Sequence, residues 1–338
     1  MTTRILITDD SALARKQMAR SLPEWLDADI EFAENGLIAI EKLKSSRFDL
    51  MFLDLTMPEL DGYGTLEQMR SFDLSVPVFV VSGDIQPKAQ ERVLALGAKH
   101  FIKKPVAKDV LSDLLKEYVS PSQSSGKVAE KKPVAVDDVR IRRRDIYMEV
   151  VNVAMGRAAD SLARFFDVFV ELPLPQVNVF ETGELIMTIR HLASNSDSMS
   201  GVCQGFSGEG IGGEALMLLS DSNISDLLKV LNYPDTGAED NELELLMDVS
   251  NVLTSAFLMG LGEQAGVKFA QTSPTLLGQH VDVNSLVETM KGNWKKTVTI
   301  EVSYGIEGTN IKCDLLLLLV DESLPLLDNK LAYLMDED

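Results

Sequence analysis

Five polar side chains in the first hundred or so residues have the types and places to do chemistry together. Asp9 and Asp10 close the apolar run RILITDD, and Asp54 closes or nearly closes DLMFLDL. Ser82 ends the apolar part of PVFVVSG, and Lys104 ends KHFIKKP just before Pro105. In an open parallel sheet, ligands bind beyond the carboxyl ends of the strands. If these runs are strands of one such sheet, all five side chains converge on one edge. Carboxylates ~4–5 Å apart repel by about 3–4 kcal/mol per pair at an effective dielectric of roughly 20. That is a large part of a domain's ~5–15 kcal/mol of stability. A hard cation relieves it, and Mg²⁺ suits a site of carboxylates and water. The plain alternative, separate capping of strands and turns, gives no reason for a hydroxyl and a lysine to join three acids.

A second constellation lies further on and occurs twice. In YMEVVNVA, Glu149 and Asn152 are three apart and share a helix face. Asp145 precedes them by one turn, and Pro175 follows Asn152 by 23 positions. In LELLMDVSNVL, Glu244, Asp248 and Asn251 have the same spacing, and Pro274 again lies 23 positions after the Asn. One Glu–Asn–Pro match is roughly a one-in-ten-thousand event per starting position at ordinary residue frequencies. The plain reading is inherited scaffold: a buried Asn can satisfy backbone groups, and a helix Glu usually meets water.

The elements that must position these residues follow from apolar spacing. The four runs of the first half are near-continuously apolar, as in parallel strands covered on both faces. Residues Ala12–Leu22, Gly36–Ser45 and Gln86–Leu96 read as helices. Together they predict an α/β doubly wound domain with a five-stranded parallel sheet over residues 1–119. Residues 120–137, rich in Ser, Lys and Pro, read as a flexible tether. Such a chain has an average span of roughly 20–25 Å.

Beyond the tether, residues 138–338 repeat themselves. IGGEALMLLSDSNISDLLKVL from Ile211 and IKCDLLLLLVDESLPLLDNKL from Ile311 align at an offset of 100. Helix Asp138–Phe166 has a counterpart in Asn241–Glu263. The expectation is one α+β domain with internal two-fold symmetry, its copies spanning about 138–238 and 239–338, with long helices on an antiparallel sheet.

The chain has 338 residues and a formal net charge of −20. Polyphosphate is repelled by such a surface, which argues against nucleic acid as a partner. No helix-turn-helix or basic face follows the tether. No apolar run approaches the ~20 residues of a bilayer span, which argues against a membrane. MTTRILITDD is too short and acidic for a signal peptide, so a cytoplasmic location is expected. Cys203 and Cys313 then read as buried reduced thiols. His100, His191 and His280 read as scattered imidazoles, not as metal ligands.

The acidic pair, LDLTMPELDGYG, VVSG and KKP together resemble the response-regulator receiver domain, over Met1 to Val119. The resemblance implies that Asp54 accepts a phosphoryl group from a histidine kinase. Asp10 and Asp54 would hold Mg²⁺ with the carbonyl of Thr56, while Asp9 acts mainly through water. Lys104 and Ser82 would contact phosphoryl oxygens, and Phe101 takes the place of the switch aromatic. A core Phe is the equal alternative there. Thr56 and Asp84 occupy positions that tune spontaneous dephosphorylation in that family.

The second half resembles the CheC/CheX/FliY family of chemotaxis phosphatases, over most of Asp138 to Asp338. Asp145, Glu149, Asn152 and Pro175 fit that family's pattern. The second copy departs from it: Glu244 stands where Asp or Ser is usual, and Asp248 replaces the Glu. The resemblance implies hydrolysis of an aspartyl phosphate. That reaction needs an oriented water, because phosphoryl transfer is mostly positioning and charge stabilisation. Asn152 would aim the water, and Glu149 would pair with a receiver lysine. Asp248 and Asn251 would form a weaker or dead site. The substrate would be this chain's own Asp54, another copy's, or a separate CheY-like receiver. A homodimer is one option for the assembly. The alternative is a phosphorylation-dependent binding module without catalysis, which the short Asp248 favours.

Overall fold

The computed structural model describes residues 2–118, 143–181, 187, 189, 198–230, 238–282, 284–286 and 296–334. The chain forms two compact units, Met1–Glu149 and Val150–Asp338. The expected tether at 120–137 lies outside the described residues.

In the first unit, strands β1 (Thr3–Thr8), β2 (Ala28–Ala33), β3 (Leu50–Leu53), β4 (Val78–Ser82) and β5 (His100–Lys103) form one sheet in the order β2-β1-β3-β4-β5. All four pairings are parallel. The apolar runs are unbroken because alternate residues serve two cores. Leu6, Met51, Leu53, Val78 and Val80 face one core, and Ile5, Ile7, Leu50, Phe52, Phe79 and Val81 face the other. The intervening helices are α1 (Ala12–Ser21), α2 (Gly36–Ser45), α3 (Gly62–Ser71) and α4 (Pro87–Ala95), followed by α5 (Lys108–Tyr118). Ser11, Asn35 and Asp61 cap the first three, each accepting a backbone N–H three residues on. Strand β2, helix α3 and helix α5 carry no run singled out in the sequence. In β2 the outer position explains this: its polar and apolar residues mix because it is an edge strand.

Gly62 shows how tightly the first unit is built around Asp54. A Cβ there would meet the Asp54 carbonyl oxygen at 2.4 Å. Only glycine lets α3 start against the end of β3.

Helix α6 (Arg143–Phe166) contains the division between the units, after Glu149. The second unit adds β6 (Val170–Glu171), β7 (Gln176–Glu181), β8 (Met199–Gly208) and β9 (Ile211–Ser220), then α7 (Asp221–Val230) and α8 (Ala238–Ala265). It continues with β10 (Ala270–Gln271), β11 (Thr275–Val281), β12 (Lys296–Ile306), β13 (Lys312–Val320) and α9 (Leu324–Leu331). The strands form an eight-stranded antiparallel sheet in the order β10-β8-β9-β13-β12-β6, with β11 also on β8 and β7 also on β12.

The register of the central pair expresses the expected repeat. Leu216 faces Leu316, Glu214 faces Leu318, and Leu218 faces Asp314. A two-fold axis through Leu216 and Leu316 maps each copy onto the other, at the offset of 100 seen in the sequence. The outer strands are exchanged between the copies. β6 and β7 of the first copy pair with β12 of the second, and β10 and β11 of the second pair with β8 of the first. Neither half completes its sheet alone.

Helix α8 corrects the reading of apolar runs. Asp240–Ala265 is long and apolar enough to cross a membrane, with a mean hydropathy of 1.4 over 18 residues. Two thirds of that window is buried inside the protein, as in the core helix of a globular domain. It packs on β8 and β9. It also lies close to α6: a Cβ on Gly260 would meet the Ala154 Cα at 2.7 Å. Cys313 is buried and free as expected, whereas Cys203 is free but only half-buried.

Candidate functional site

The carboxyl end of the five-stranded sheet gathers the expected residues. β1 closes at Thr8, so Asp9 and Asp10 lie just past its last ladder pair. Asp54 follows β3, and its N–H donates to the Thr8 carbonyl at 2.9 Å. One carboxylate oxygen from each of Asp9, Asp10 and Asp54 lies within 4.8 Å of the others. Lys104 reaches in from the end of β5. Its Nζ lies 2.7 Å from Asp9 Oδ2, 3.4 Å from Asp54 Oδ1 and 3.4 Å from Glu149 Oε1. Lys104 and Glu149 both belong to the first unit.

Burial sets the electrostatics. Asp54 is 2% exposed and Lys104 8%. Loss of water pushes the Asp54 carboxyl well above the usual carboxylate range. Lys104 pulls it back, while Asp9 and Asp10 push it further up. Asp10 rises from 3.8 to about 7, first through burial and then through the Asp9 charge. Burial lowers Lys104, but Asp54, Asp9 and Glu149 overcome this and hold it well above its ordinary value. Glu149 is raised by burial, with Lys104 opposing. Asp10 Oδ1 is buried and has no hydrogen-bond partner among the described residues. An orphaned carboxylate oxygen beside two further acids fits a hard divalent cation. Asp9, Asp10 and Asp54 would hold it, and it would supply the positive charge that Lys104 does not.

The remaining expected residues sit around this pocket. The Thr56 N–H donates to Asp54 Oδ2 at 3.0 Å. Ser82 is buried at the end of β4, and its Oγ accepts the Asp84 N–H at 3.1 Å. Phe101 lies on β5, partly buried against the core cluster that contains Leu53 and Val80. Sequence reasoning missed Arg15. Its Nη1 donates to the carbonyls of Asp9 at 2.7 Å and Asp10 at 3.1 Å. The available signal was an arginine five residues past Asp10, about one turn into a helix whose other face is apolar.

The acid–amide pairs fall on the two long helices. Glu149 and Asn152 lie on α6, and Asp248 and Asn251 on α8. Glu149 Oε2 and Asn152 Oδ1 are buried with no hydrogen-bond partner among the described residues. Pro175 is the residue before β7, as Pro274 is the residue before β11. In the second copy, Asp248, Asn251 and Pro274 line one cleft of about 580 Å³, with Ser255, Gln271, Thr272 and others. The Asn251 carboxamide oxygen accepts from Gln204 Nε2 and Ser255 Oγ, both at 3.5 Å. Gln204 is buried, accepts from Ser250 Oγ and donates to the Thr272 carbonyl, so its orientation is set. Glu244 is not among the residues that line this cleft.

Two of the histidines are described, each within its own unit. His100 bonds Tyr118, and His280 lies between Asp221 and Glu242. His191 lies outside the described residues.

The response regulator receiver domain matches residues 5–116. Chemotaxis protein CheY of Bacillus subtilis (strain 168) is 36% identical over 109 residues, which span 32% of this chain and 91% of that protein. The chain belongs to the response-regulator receiver family. A second chemotaxis protein CheY, from Treponema pallidum (strain Nichols), is 34% identical over 105 residues, 30% of this chain and 73% of that protein. The receiver match ends two residues before the end of α5, so it takes in the parallel sheet except the first two residues of β1 and leaves the second unit uncovered. The crystal structure of Thermotoga maritima FliY covers 57% of this chain and 98% of that chain, at 14% identity and a TM-score of 0.43. That likeness is distant.

Proposed function

We propose that this chain is a two-component response regulator of the chemotaxis type, phosphorylated on Asp54. Its output unit hydrolyses the aspartyl phosphate of a receiver. The observation that carries the second half is the acid–amide pair on α6: Glu149 Oε2 and Asn152 Oδ1 are buried with no hydrogen-bond partner among the described residues.

A histidine kinase is the phosphodonor that receiver membership implies. On the receiver, Asp54 supplies the attacking carboxylate. Lys104 Nζ and the Thr56 N–H already touch its two oxygens and would follow the charge onto the phosphoryl group. Mg²⁺ held by Asp9, Asp10 and Asp54 would supply charge neutralisation for the phosphoryl oxygens. On the output unit, a carboxamide both donates and accepts, so it can hold a water in line with the phosphorus. Among the described residues Asn152 Oδ1 has no hydrogen-bond partner, which leaves an acceptor for that task. Glu149 pairs with the lysine of the phosphorylated pocket and needs no role as base.

The alternative is a binding module without catalysis. It is favoured at the second copy, where the Asn251 oxygen is already engaged by Gln204 and Ser255.

The test follows acyl-phosphate loss from the phosphorylated full chain over a range of protein concentrations. Hydrolysis by the output unit predicts a decay that Asn152→Ala slows at least tenfold. A rate independent of concentration marks action within one molecule. Decay unchanged in Asn152→Ala and in the Asn152→Ala/Asn251→Ala double variant would leave the binding module standing.

A further inference from the structure

We propose that Arg15 is a positioning residue of the receiver's cation site: by gripping the backbone carbonyls of Asp9 and Asp10, it sets the geometry in which their carboxylates meet Mg²⁺.

Arg15 is 7% exposed, and burying a guanidinium costs free energy unless its donors are used. Here one nitrogen, Nη1, bonds two successive carbonyls, Asp9 O at 2.7 Å and Asp10 O at 3.1 Å. These peptides lie past the last ladder pair of β1, Thr8 with Ala33, so the sheet does not orient them. Beyond that pair, the Asp9 N–H donates to the Ala33 carbonyl at 3.1 Å and the Asp54 N–H to the Thr8 carbonyl at 2.9 Å, and both bonds hold the Thr8–Asp9 peptide, not the two that Arg15 grips. Gripping two consecutive carbonyls from one side fixes the peptide planes that flank the Asp10 Cα, and with them the direction of the Asp10 side chain. The other bond of the guanidinium, Nη2 to Glu34 Oε1 at 3.4 Å, goes to a carboxylate that is 70% exposed and adds little. The buried bonds to Asp9 and Asp10 are therefore what the burial of Arg15 serves.

Charge alone predicts the opposite effect. A guanidinium near a cation site repels the cation, so an electrostatic role would make Mg²⁺ bind more tightly once the charge is removed. A positioning role makes it bind more weakly, because groups that orient metal ligands typically contribute 10–100-fold in affinity. The sign of the change separates the two.

The experiment is Mg²⁺ titration of the full-length chain by calorimetry, counting the heat that Asp54→Asn removes as the receiver site. Arg15→Met and Arg15→Lys are compared with the parent, and each is melted in EDTA. The expected result is a Kd raised about tenfold or more in Arg15→Met and less in Arg15→Lys. The EDTA melting of Arg15→Lys should stay close to the parent's. Unchanged or tighter Mg²⁺ binding in Arg15→Met overturns the proposal. If Arg15→Met fails to fold, Arg15→Lys decides: weaker Mg²⁺ binding with parental EDTA melting supports positioning, and parental binding overturns it. The inference rests on Asp9, Asp10 and Asp54 as the cation ligands. Absence of Mg²⁺ binding by the parent would sink that reading, whereas equal binding by parent and variants would sink only the role of Arg15.

Discussion

Lys104 Nζ lies 2.7 Å from Asp9 Oδ2, and both side chains are less than a tenth exposed. The ammonium spends its shortest contact on Asp9 and reaches Asp54 only at 3.4 Å. The acid proposed to receive the phosphoryl group is thus the less tightly paired of the two. Its carboxylate keeps one oxygen near a cation without being locked to it.

Removing that ammonium leaves buried acids uncompensated. Loss of one partner of a buried ion pair typically costs about 3–5 kcal/mol. Lys104→Met should therefore lower the melting temperature of the receiver in EDTA, and Mg²⁺ should recover part of the loss. Melting equal to the parent's in EDTA would mean that the acids shed their charge by taking up protons.

The raised Asp10 carboxyl makes cation-free stability depend on pH. Its folded value is about 7 against an ordinary 3.8. A raised folded value means that the stabilising proton is fully present below about 3.8 and lost as pH rises through about 7. The receiver in EDTA should therefore lose stability between pH 4 and 7 on this account, by roughly 3–4 kcal/mol at most. Asp10→Asn should flatten that slope, raise the melting temperature at pH 8 in EDTA and abolish stabilisation by Mg²⁺. A variant that melts below the parent at pH 8 in EDTA would contradict this.

The second copy offers a gain-of-function test. Asp248 falls one methylene short of the Glu at the matching place in the first copy, which is about 1.5 Å by bond length. Asp248→Glu should speed acyl-phosphate loss from a separately added phosphorylated receiver severalfold, and adding Asn251→Ala should cancel the gain. No change in Asp248→Glu would show that the cleft is limited by more than reach.

In the second unit, His280 joins the starts of two helices. Its Nδ1 lies 3.0 Å from Asp221 Oδ2 on α7, and its Nε2 lies 2.9 Å from Glu242 Oε2 on α8. The hydrogen bond to Asp221 raises the imidazole above its ordinary 6.5, and burial opposes. The stabilisation is complete below about 6.5 and is lost as pH rises through the raised folded value. The ring is 46% exposed, so the effect is small. His280→Asn should remove the fall in the second unit's melting temperature above pH 6.5. A slope equal to the parent's would locate the titrating group elsewhere.

By itself, the sequence determined which residues lie at the strand ends of the receiver and that the second half is built twice. Both follow from short-range rules. A strand covered on two faces must be apolar throughout, so RILITDD and DLMFLDL show where Asp9 and Asp54 emerge. A duplication keeps its spacing, so the Asn–Pro interval of 23 appears in both copies and Leu216 meets Leu316 on the axis. Three things were decided only by the tertiary structure. Arg15 reaches two carbonyls through a contact that residue type and period do not encode. The edge strands β6 and β10 could have paired with their own copy, and only packing chose exchange. Helix α8 carries enough apolar residues for a bilayer, and it is a core helix because the sheet and α6 bury it. In each case local composition allows two outcomes, and the free energy that separates them comes from surfaces far apart along the chain.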